Sequence, residues 1–116
     1  MTDRSSSTDL LQGTLDLLIL RSLVFGPAHG HAIAHHIRQS SDAVLQVETG
    51  SLYPALHRGE ARGWLTAEWA VSEKGKRAKY YRLTPAGRRQ LTAEQARWQQ
   101  VSLAIGRVLT AERQES

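Results

Sequence analysis

The chain has 116 residues, of which 41% are hydrophobic, and its formal net charge is +4. These values indicate one folded domain and exclude a largely disordered chain. The absence of cysteine excludes disulfides, thiolate metal sites and a cysteine nucleophile. The first residues are too polar for a signal peptide and no apolar run could span a bilayer, so we expect a cytoplasmic protein without a membrane partner.

Positive charge is concentrated in one segment of the chain. Residues 50–90 contain nine of the fifteen Lys and Arg but three of the eleven acids, a local balance of +6, so the remaining residues sum to −2. Such a distribution predicts a polyanionic partner. The alternative is an ordinary solvated basic surface.

Two helices are predicted in the first half. Residues 1–8 are polar and serine-rich, and we expect a disordered start there. A helix buried along a wide stripe is predicted from Asp9 to Val24, because apolar residues recur at three- and four-residue steps. These residues are Leu11, Leu15, Leu18, Ile19 and Leu23. A second helix is predicted from Gly30 to Gln39, and a short strand over Val44–Val47.

A third helix is predicted to begin near residues 49–51, since Pro54 is tolerated only close to a helix start, and to end before Gly63. Its apolar residues share one side, leaving a polar face for recognition. The polar side chains predicted to contact DNA are Ser51, Tyr53, His57 and Arg58. Two buried helices followed by this one predict a helix-turn-helix whose third helix fits a DNA major groove.

A basic hairpin is predicted next. Two alternating segments, Leu65–Val71 and Tyr80–Leu83, flank a turn over residues 72–78 that contains Gly75. Its basic side chains are Lys74, Lys76, Arg77 and Lys79. Beside a recognition helix this hairpin is a candidate wing that contacts the phosphate backbone or the minor groove. The alternative is an edge hairpin kept soluble by lysine.

The C-terminal segment predicts one long helix. Thr84 is a suitable N-cap and Pro85 a suitable first residue, and the helix should run to about Glu112. The apolar residues with heptad spacing are Leu91, Trp98, Val101, Ile105 and Val108. Such a row needs a partner helix, so we expect a homodimer. The alternative is a helix folded back onto its own domain.

The predicted fold class is therefore mainly α (α+β), a winged helix-turn-helix with a long C-terminal dimerisation helix. We expect a disordered segment over residues 1–8, a DNA-binding domain over 9–84, a dimerisation helix over 85–113 and a tail over 114–116.

Catalytic and metal chemistry fit the sequence poorly. His31 and His35 share a predicted helix face, but no cysteine and no H-E-x-x-H pattern accompany them. Ser51 follows a glycine without the second glycine of a nucleophile elbow. We therefore predict neither an enzyme nor a metal or cofactor site.

Five segments together resemble PadR-family transcriptional regulators. They are residues 11–20 (LQGTLDLLIL), 29–33 (HGHAI), 50–58 (GSLYPALHR), 63–65 (GWL) and 79–84 (KYYRLT). The resemblance covers about residues 10–109 and is closest to the small subtype, which has a single C-terminal dimerisation helix.

The resemblance implies a bacterial transcription factor, usually a repressor, that binds a palindromic operator as a homodimer and is released by an effector. It places Ser51, Tyr53, His57 and Arg58 in the major groove. It places the hairpin with Lys76, Arg77 and Lys79 on the backbone or in the minor groove. Trp98 stands where some drug-responsive relatives stack planar aromatic ligands, so it is the effector candidate; its other role would be packing between subunits.

Two positions depart from the family pattern. His31 replaces a usual tyrosine, and Gly59 replaces a large apolar residue, usually leucine. Glycine weakens a helix interior by about 0.5 to 1 kcal/mol relative to alanine, and a lost leucine removes a further 2 to 5 kcal/mol or so of packing. An alternative function of a different class is a helical dimerisation module whose basic hairpin binds an acidic protein.

Overall fold

The computed structural model describes the backbone of residues 4–112 and the side chains of residues 13–112. Within this range the chain is mainly helical with one antiparallel sheet, which confirms the predicted winged helix-turn-helix. The elements in chain order are α1 (Arg4–Ser22), a 3₁₀ turn (Leu23–Phe25), β1 (Ala28–His29), α2 (Gly30–Ser40), α3 (Thr49–Ala61), β2 (Leu65–Val71), β3 (Arg77–Leu83) and α4 (Pro85–Thr110).

Helix α1 is the central element of the core, because it packs against α2, α3 and α4. It buries side chains on more than one side, which accounts for its dense run of leucine and isoleucine. The buried ones are Leu15, Leu17, Ile19 and Leu20, followed by Leu23 in the next turn. The predicted core residue Leu11 lies outside the described side chains.

Helix α1 begins at Arg4, five residues before the predicted start at Asp9. Residues 4–8, which we expected to be disordered, are therefore helical. Serine is only a moderate helix former, but the apolar residues that follow supply the packing that stabilises a helix and lets it extend into a polar stretch. Residues 1–3 and the predicted tail at 114–116 lie outside the described range.

The sheet has the strand order β1-β3-β2, and both pairings are antiparallel. Strand β1 has two residues, Ala28 and His29, which pair with Tyr81 and Tyr80. So short a strand leaves no alternating pattern, and the sequence did not predict it. It ties the start of α2 to the hairpin.

The strand predicted at Val44–Val47 is wrong, because these residues form the loop between α2 and α3. The backbone turns through two consecutive residues with positive φ, Asp42 (+53°) and Ala43 (+65°). The Ser41 hydroxyl then accepts a hydrogen bond from the Leu45 amide at 3.0 Å. Leu45 and Val47 pack against the core and anchor the loop, whereas Val44 is exposed, so these apolar residues do not mark a strand.

The hairpin loop is shorter than predicted. It spans residues 72–76, and β3 begins at Arg77, which pairs with Val71. The Ser72 amide donates to the Lys76 carbonyl at 2.6 Å, and Gly75 supplies a φ of +78°. Arg77 to Lys79 therefore belong to a strand, where side chains alternate between two faces.

Helix α4 has 26 residues and begins as predicted. The Thr84 hydroxyl accepts a hydrogen bond from the Gly87 amide at 2.9 Å, and Pro85 occupies the first helical position. The assignment of Leu91 to a dimer interface is corrected, because its side chain is 7% exposed and lies in the core of its own protomer. Within residues 4–112 no helix has the length and apolarity needed to cross a bilayer.

Gly59 does not leave the cavity that the sequence led us to expect. It is buried, and a Cβ there would lie 2.8 Å from Cδ1 and 3.0 Å from Cγ of Leu65. Leu65 is 3% exposed and occupies the space that a larger residue at position 59 would take. The core is therefore filled from β2 and not from α3.

Candidate nucleic-acid interface

Helix α3 presents a buried face and an exposed face. Leu52, Ala55 and Leu56 lie in the core, as the apolar spacing predicted. Ser51 and His57 are exposed on the other side. The exposed face borders a groove that the hairpin closes on its far side.

Tyr53 has a packing role that the sequence did not reveal. Its hydroxyl oxygen is 2.5 Å, and its nearest ring carbon 2.8 Å, from the position that a Cβ on Gly30 would take. Only glycine leaves room for the ring at the start of α2. Tyr53 is half-buried and packs α3 against α2, although it also lines the groove.

Arg58 is bound to the scaffold. Its Nη2 donates to Oδ1 of Asp16 on α1 at 2.9 Å, and the two side chains are 27% and 22% exposed. The prediction that Arg58 faces DNA alongside Ser51 and His57 did not anticipate this partner, because Asp16 is distant in sequence. In the folded chain Arg58 links α3 to α1.

Lys79 is likewise engaged within the protein. Its Nζ donates to Oε1 of Glu60 on α3 at 3.0 Å, so it joins the base of the hairpin to α3. This hydrogen bond raises the pKa of Lys79, while partial burial opposes the rise. The ammonium also lies 5.5 Å from the ring centre of Tyr81, whose buried position raises the pKa of its hydroxyl.

The other three predicted wing cations remain exposed. Lys74 and Lys76 lie in the hairpin loop and Arg77 at the start of β3. Within the described part of the chain, no carboxylate lies in ion-pair range of them. Their charge is therefore available to a partner.

The groove has a volume of about 850 Å³ and lies between the start of α2, the exposed face of α3 and the hairpin. Of the residues that line it, one carries a carboxylate, Glu73. Its functional lining consists of cations, rings and hydrogen-bond donors. They include His29, His31, Tyr53, His57, Trp69, Lys74, Lys76, Arg77, Lys79 and Tyr80. This chemistry fits a polyanion.

The sequence did not predict the contribution of α2 to the groove. His29 caps this helix, since its Nδ1 accepts a hydrogen bond from the Ala32 amide at 3.2 Å. Its ring meets that of Tyr80 edge-on at 5.4 Å between centroids. The available signal was His29 and His31 on either side of the glycine that starts α2; of the two, His31 was paired with His35 as a candidate metal site.

The second half of α4 exposes a row of apolar side chains. Trp98 is 47%, Ile105 50% and Val108 75% exposed, and Val101, between them, is 42% exposed. They continue the helix face that Leu91 begins inside the core. This strip is the part of the predicted seam that remains uncovered in one protomer.

Comparison with known proteins gives concordant matches. Residues 19–93 match the model of the "Transcriptional regulator PadR-like family". The chain is 42% identical over 78 residues to the transcriptional regulator Rv3488 of Mycobacterium tuberculosis. The aligned segment covers 67% of this chain and 69% of that protein.

Solved structures agree with these matches. A PadR family transcriptional regulator from Eggerthella lenta superposes with a TM-score of 0.75 at 32% identity, covering 94% of this chain and 93% of that one. A transcriptional regulator from Clostridium thermocellum superposes with a TM-score of 0.77 at 29% identity, covering 85% and 96%. The similarity thus extends over the winged domain and most of α4.

Proposed function

Because the chain belongs to the PadR-like family of transcriptional regulators, whose members bind DNA and are typically dimers, we propose that it is a repressor. It binds a palindromic operator as a homodimer and is released by a small-molecule effector. The observation that carries this proposal is the groove flanked by the exposed face of α3 and by the three unpaired cations of the hairpin.

The groove assigns different tasks to its two sides. On α3, His57 lines the groove and Ser51 lies outside its lining; both are exposed and can donate hydrogen bonds to base edges in the major groove. Lys74, Lys76 and Arg77 can contact phosphates next to that site, which positions the helix without specifying sequence. Arg58 and Lys79 hold α3 in place through their ion pairs.

Dimerisation through α4 supplies the symmetry that a palindrome requires. The strip formed by Trp98, Val101, Ile105 and Val108 needs a cover, and a second copy of the helix offers a matching face. A twofold axis then presents two recognition helices to half-sites about one helical turn, roughly 34 to 36 Å, apart.

Footprinting of the DNA upstream of the gene that encodes the chain tests operator binding. We expect two protected half-sites with inverted repeats and an affinity that falls steeply with salt. Neutralising both Lys76 and Arg77 should weaken binding about tenfold or more and reduce the salt slope by about 4, since the homodimer loses two phosphate contacts in each protomer. The matched control, R97Q/R107Q, removes the same charge from α4 and should keep the slope.

Two results would count against the DNA proposal. One is a lack of salt-dependent duplex binding, which would favour the alternative of an acidic protein bound by the hairpin. The other is unchanged affinity in the Lys76 and Arg77 variant. A reporter fused to the protected promoter tests the sign of regulation, since deletion of the gene should raise expression if the protein represses.

Sedimentation tests the dimer. Ile105→Glu places a charge in the centre of the apolar strip and should shift the protein to a monomer, because an unpaired charge in an apolar interface is strongly unfavourable. Gln100→Glu introduces a charge on another face of α4 and should leave the dimer intact. A monomeric wild-type protein would overturn this part of the proposal.

The proposed effector is a planar aromatic molecule that stacks on Trp98 between subunits. The ring is 47% exposed in one protomer, which leaves it available to contact a ligand or the second helix at the proposed interface. We expect such compounds to quench emission that is present in the wild type and absent in W98F, and to weaken operator binding. Compounds that change neither signal would remove Trp98 as an effector site.

A further inference from the structure

Trp69 is an exposed aromatic residue on the inner face of the hairpin. Its side chain is 57% exposed on β2. Because side chains alternate along a strand, Trp69 shares a face with Leu65, which is buried against α3. The ring is therefore held at the edge of the groove, beyond the part of the sheet that the core covers.

The side chain of Arg77 lies against this ring. Trp69 pairs with Lys79 and Val71 pairs with Arg77, so Trp69 and Arg77 are diagonal neighbours on the same face of the hairpin. The guanidinium carbon Cζ of Arg77 is 5.0 Å from the centroid of the Trp69 ring. This distance is within the range of a cation–π contact.

The contact with Trp69 restricts the side chain of Arg77, one of the residues proposed to bind DNA. Arg77 is exposed, and along the described part of the chain no carboxylate forms an ion pair with it. A free arginine loses much rotamer freedom when it binds, and a ring that already restricts the side chain reduces that loss. The contact also strengthens when DNA excludes water from it.

We propose that Trp69 is a positioning residue that holds the Arg77 guanidinium toward the phosphate backbone of bound DNA. The planar guanidinium can then donate two parallel hydrogen bonds to one phosphate. The inference rests on the proposed function, since it requires that the hairpin contact DNA. It assigns Trp69 an indirect role, exerted through Arg77.

A double-mutant cycle on DNA affinity tests the coupling. The probes are the fragment upstream of the gene and a mixed-sequence duplex of about 30 base pairs, long enough for two half-sites. W69A should weaken binding about threefold to tenfold in the wild-type background. In the R77A background, W69A should weaken binding by less than about twofold, because the arginine that Trp69 contacts is absent.

Three further variants separate positioning from simple packing. W69F keeps an aromatic face and should recover most of the lost affinity, whereas W69L keeps apolar surface without that face and should not; equal recovery in both would indicate simple packing. V71A removes an exposed apolar side chain directly opposite Arg77 and should leave affinity within about twofold. An affinity close to that of the wild type in W69F or V71A also shows that the hairpin remains folded.

The outcomes separate the inference from the proposed function. If the wild type fails to bind either duplex, the proposed function fails first. If the wild type binds but W69A has an equal effect with and without Arg77, only the positioning role is wrong. A loss confined to the upstream fragment would overturn the phosphate assignment, since a phosphate contact acts on both duplexes.

Discussion

The guanidinium of Arg58 and the carboxylate of Asp16 form a 2.9 Å ion pair that joins the recognition helix to the central helix. If Arg58 serves the scaffold, removing either partner has the same consequence. We expect R58Q and D16N each to lower the free energy of unfolding by about 1 kcal/mol, with little further loss in the double variant. Urea denaturation measures these values.

The same variants distinguish a scaffold residue from a DNA contact. A scaffold role predicts similar DNA affinities for R58Q and D16N and an unchanged salt slope. A phosphate contact instead predicts a slope lower by about 2 in R58Q, one contact for each protomer of the proposed dimer, and tighter binding in D16N, because a carboxylate repels DNA. R97A serves as the control, because it removes an exposed ion pair. Arg97 bonds Glu94 within one helix, and 72% of the Arg97 side chain is exposed.

Gly87 should not tolerate a side chain. A Cβ at this position would collide with the carbonyl oxygen of Trp64, which also accepts a hydrogen bond from the Thr84 amide at 3.0 Å. We expect G87A to lower the free energy of unfolding by about 1 to 3 kcal/mol. G106A, on the same helix, meets no atom within 4 Å and should raise it by about 0.5 to 1 kcal/mol. Equal effects in thermal denaturation would refute the close packing.

The fold should lose stability at alkaline pH through Lys79 and Tyr81. Both have raised pKa values, from ordinary values of 10.5 and 10.0, so the folded chain holds these protons more tightly than the unfolded chain. Their contribution is complete below about pH 10 and is lost as pH rises through the raised values. Urea unfolding between about pH 8 and 11 measures the decline.

Two variants isolate the alkaline contribution. Y81F removes the tyrosine hydroxyl that titrates. Its free energy of unfolding, taken relative to its own value at pH 7, should fall less steeply as pH rises. E60Q removes the largest cause of the raised Lys79 pKa and should also flatten the curve. If the free energy of unfolding falls as steeply in both variants as in the wild type, other groups control the alkaline loss of stability.

Ala43 should be improved by glycine. Its φ of +65° is unfavourable for an L-residue by about 1 to 2 kcal/mol, whereas glycine adopts it freely. Glycine also gives the unfolded chain more freedom, so the expected net gain for A43G is about 0.5 kcal/mol. A93G, at an exposed position inside α4, should lose about 0.5 to 1 kcal/mol. Destabilisation of both variants in thermal melts would contradict this account.

Regular periodicity predicted most of the helices and the hairpin. Helices α2 and α3 have their expected bounds to within a residue or two, because breakers such as Gly63 mark their ends, and α4 begins where the Thr84 cap predicted. The two-residue strand β1 had no pattern to detect, since its pairing with β3 depends on a segment about fifty residues away. Val44–Val47 has strand-like composition but no neighbouring strand.

The functional surface was predicted less completely, because polarity alone does not show what a side chain contacts. Arg58 and Lys79 have the chemistry of DNA-binding residues, but distant acids, Asp16 and Glu60, engage them in the fold. Leu91 fits the heptad of the seam, yet the domain's own core covers it. Gly59 seemed to leave a void because its filling residue, Leu65, belongs to another element.

The hydroxyl of Thr84 lies 2.7 Å from the Gly63 carbonyl and 3.0 Å from the Trp64 carbonyl, while it caps α4 through Gly87. These bonds tie the segment that follows α3 to the first turn of α4. Helix α4 extends its 26 residues over about 39 Å, so a tilt of about 5° at Thr84 displaces its far end by about 3 Å. In the proposed dimer, a shift of a few ångströms between the two α4 helices would therefore tilt both of the proposed DNA-facing surfaces.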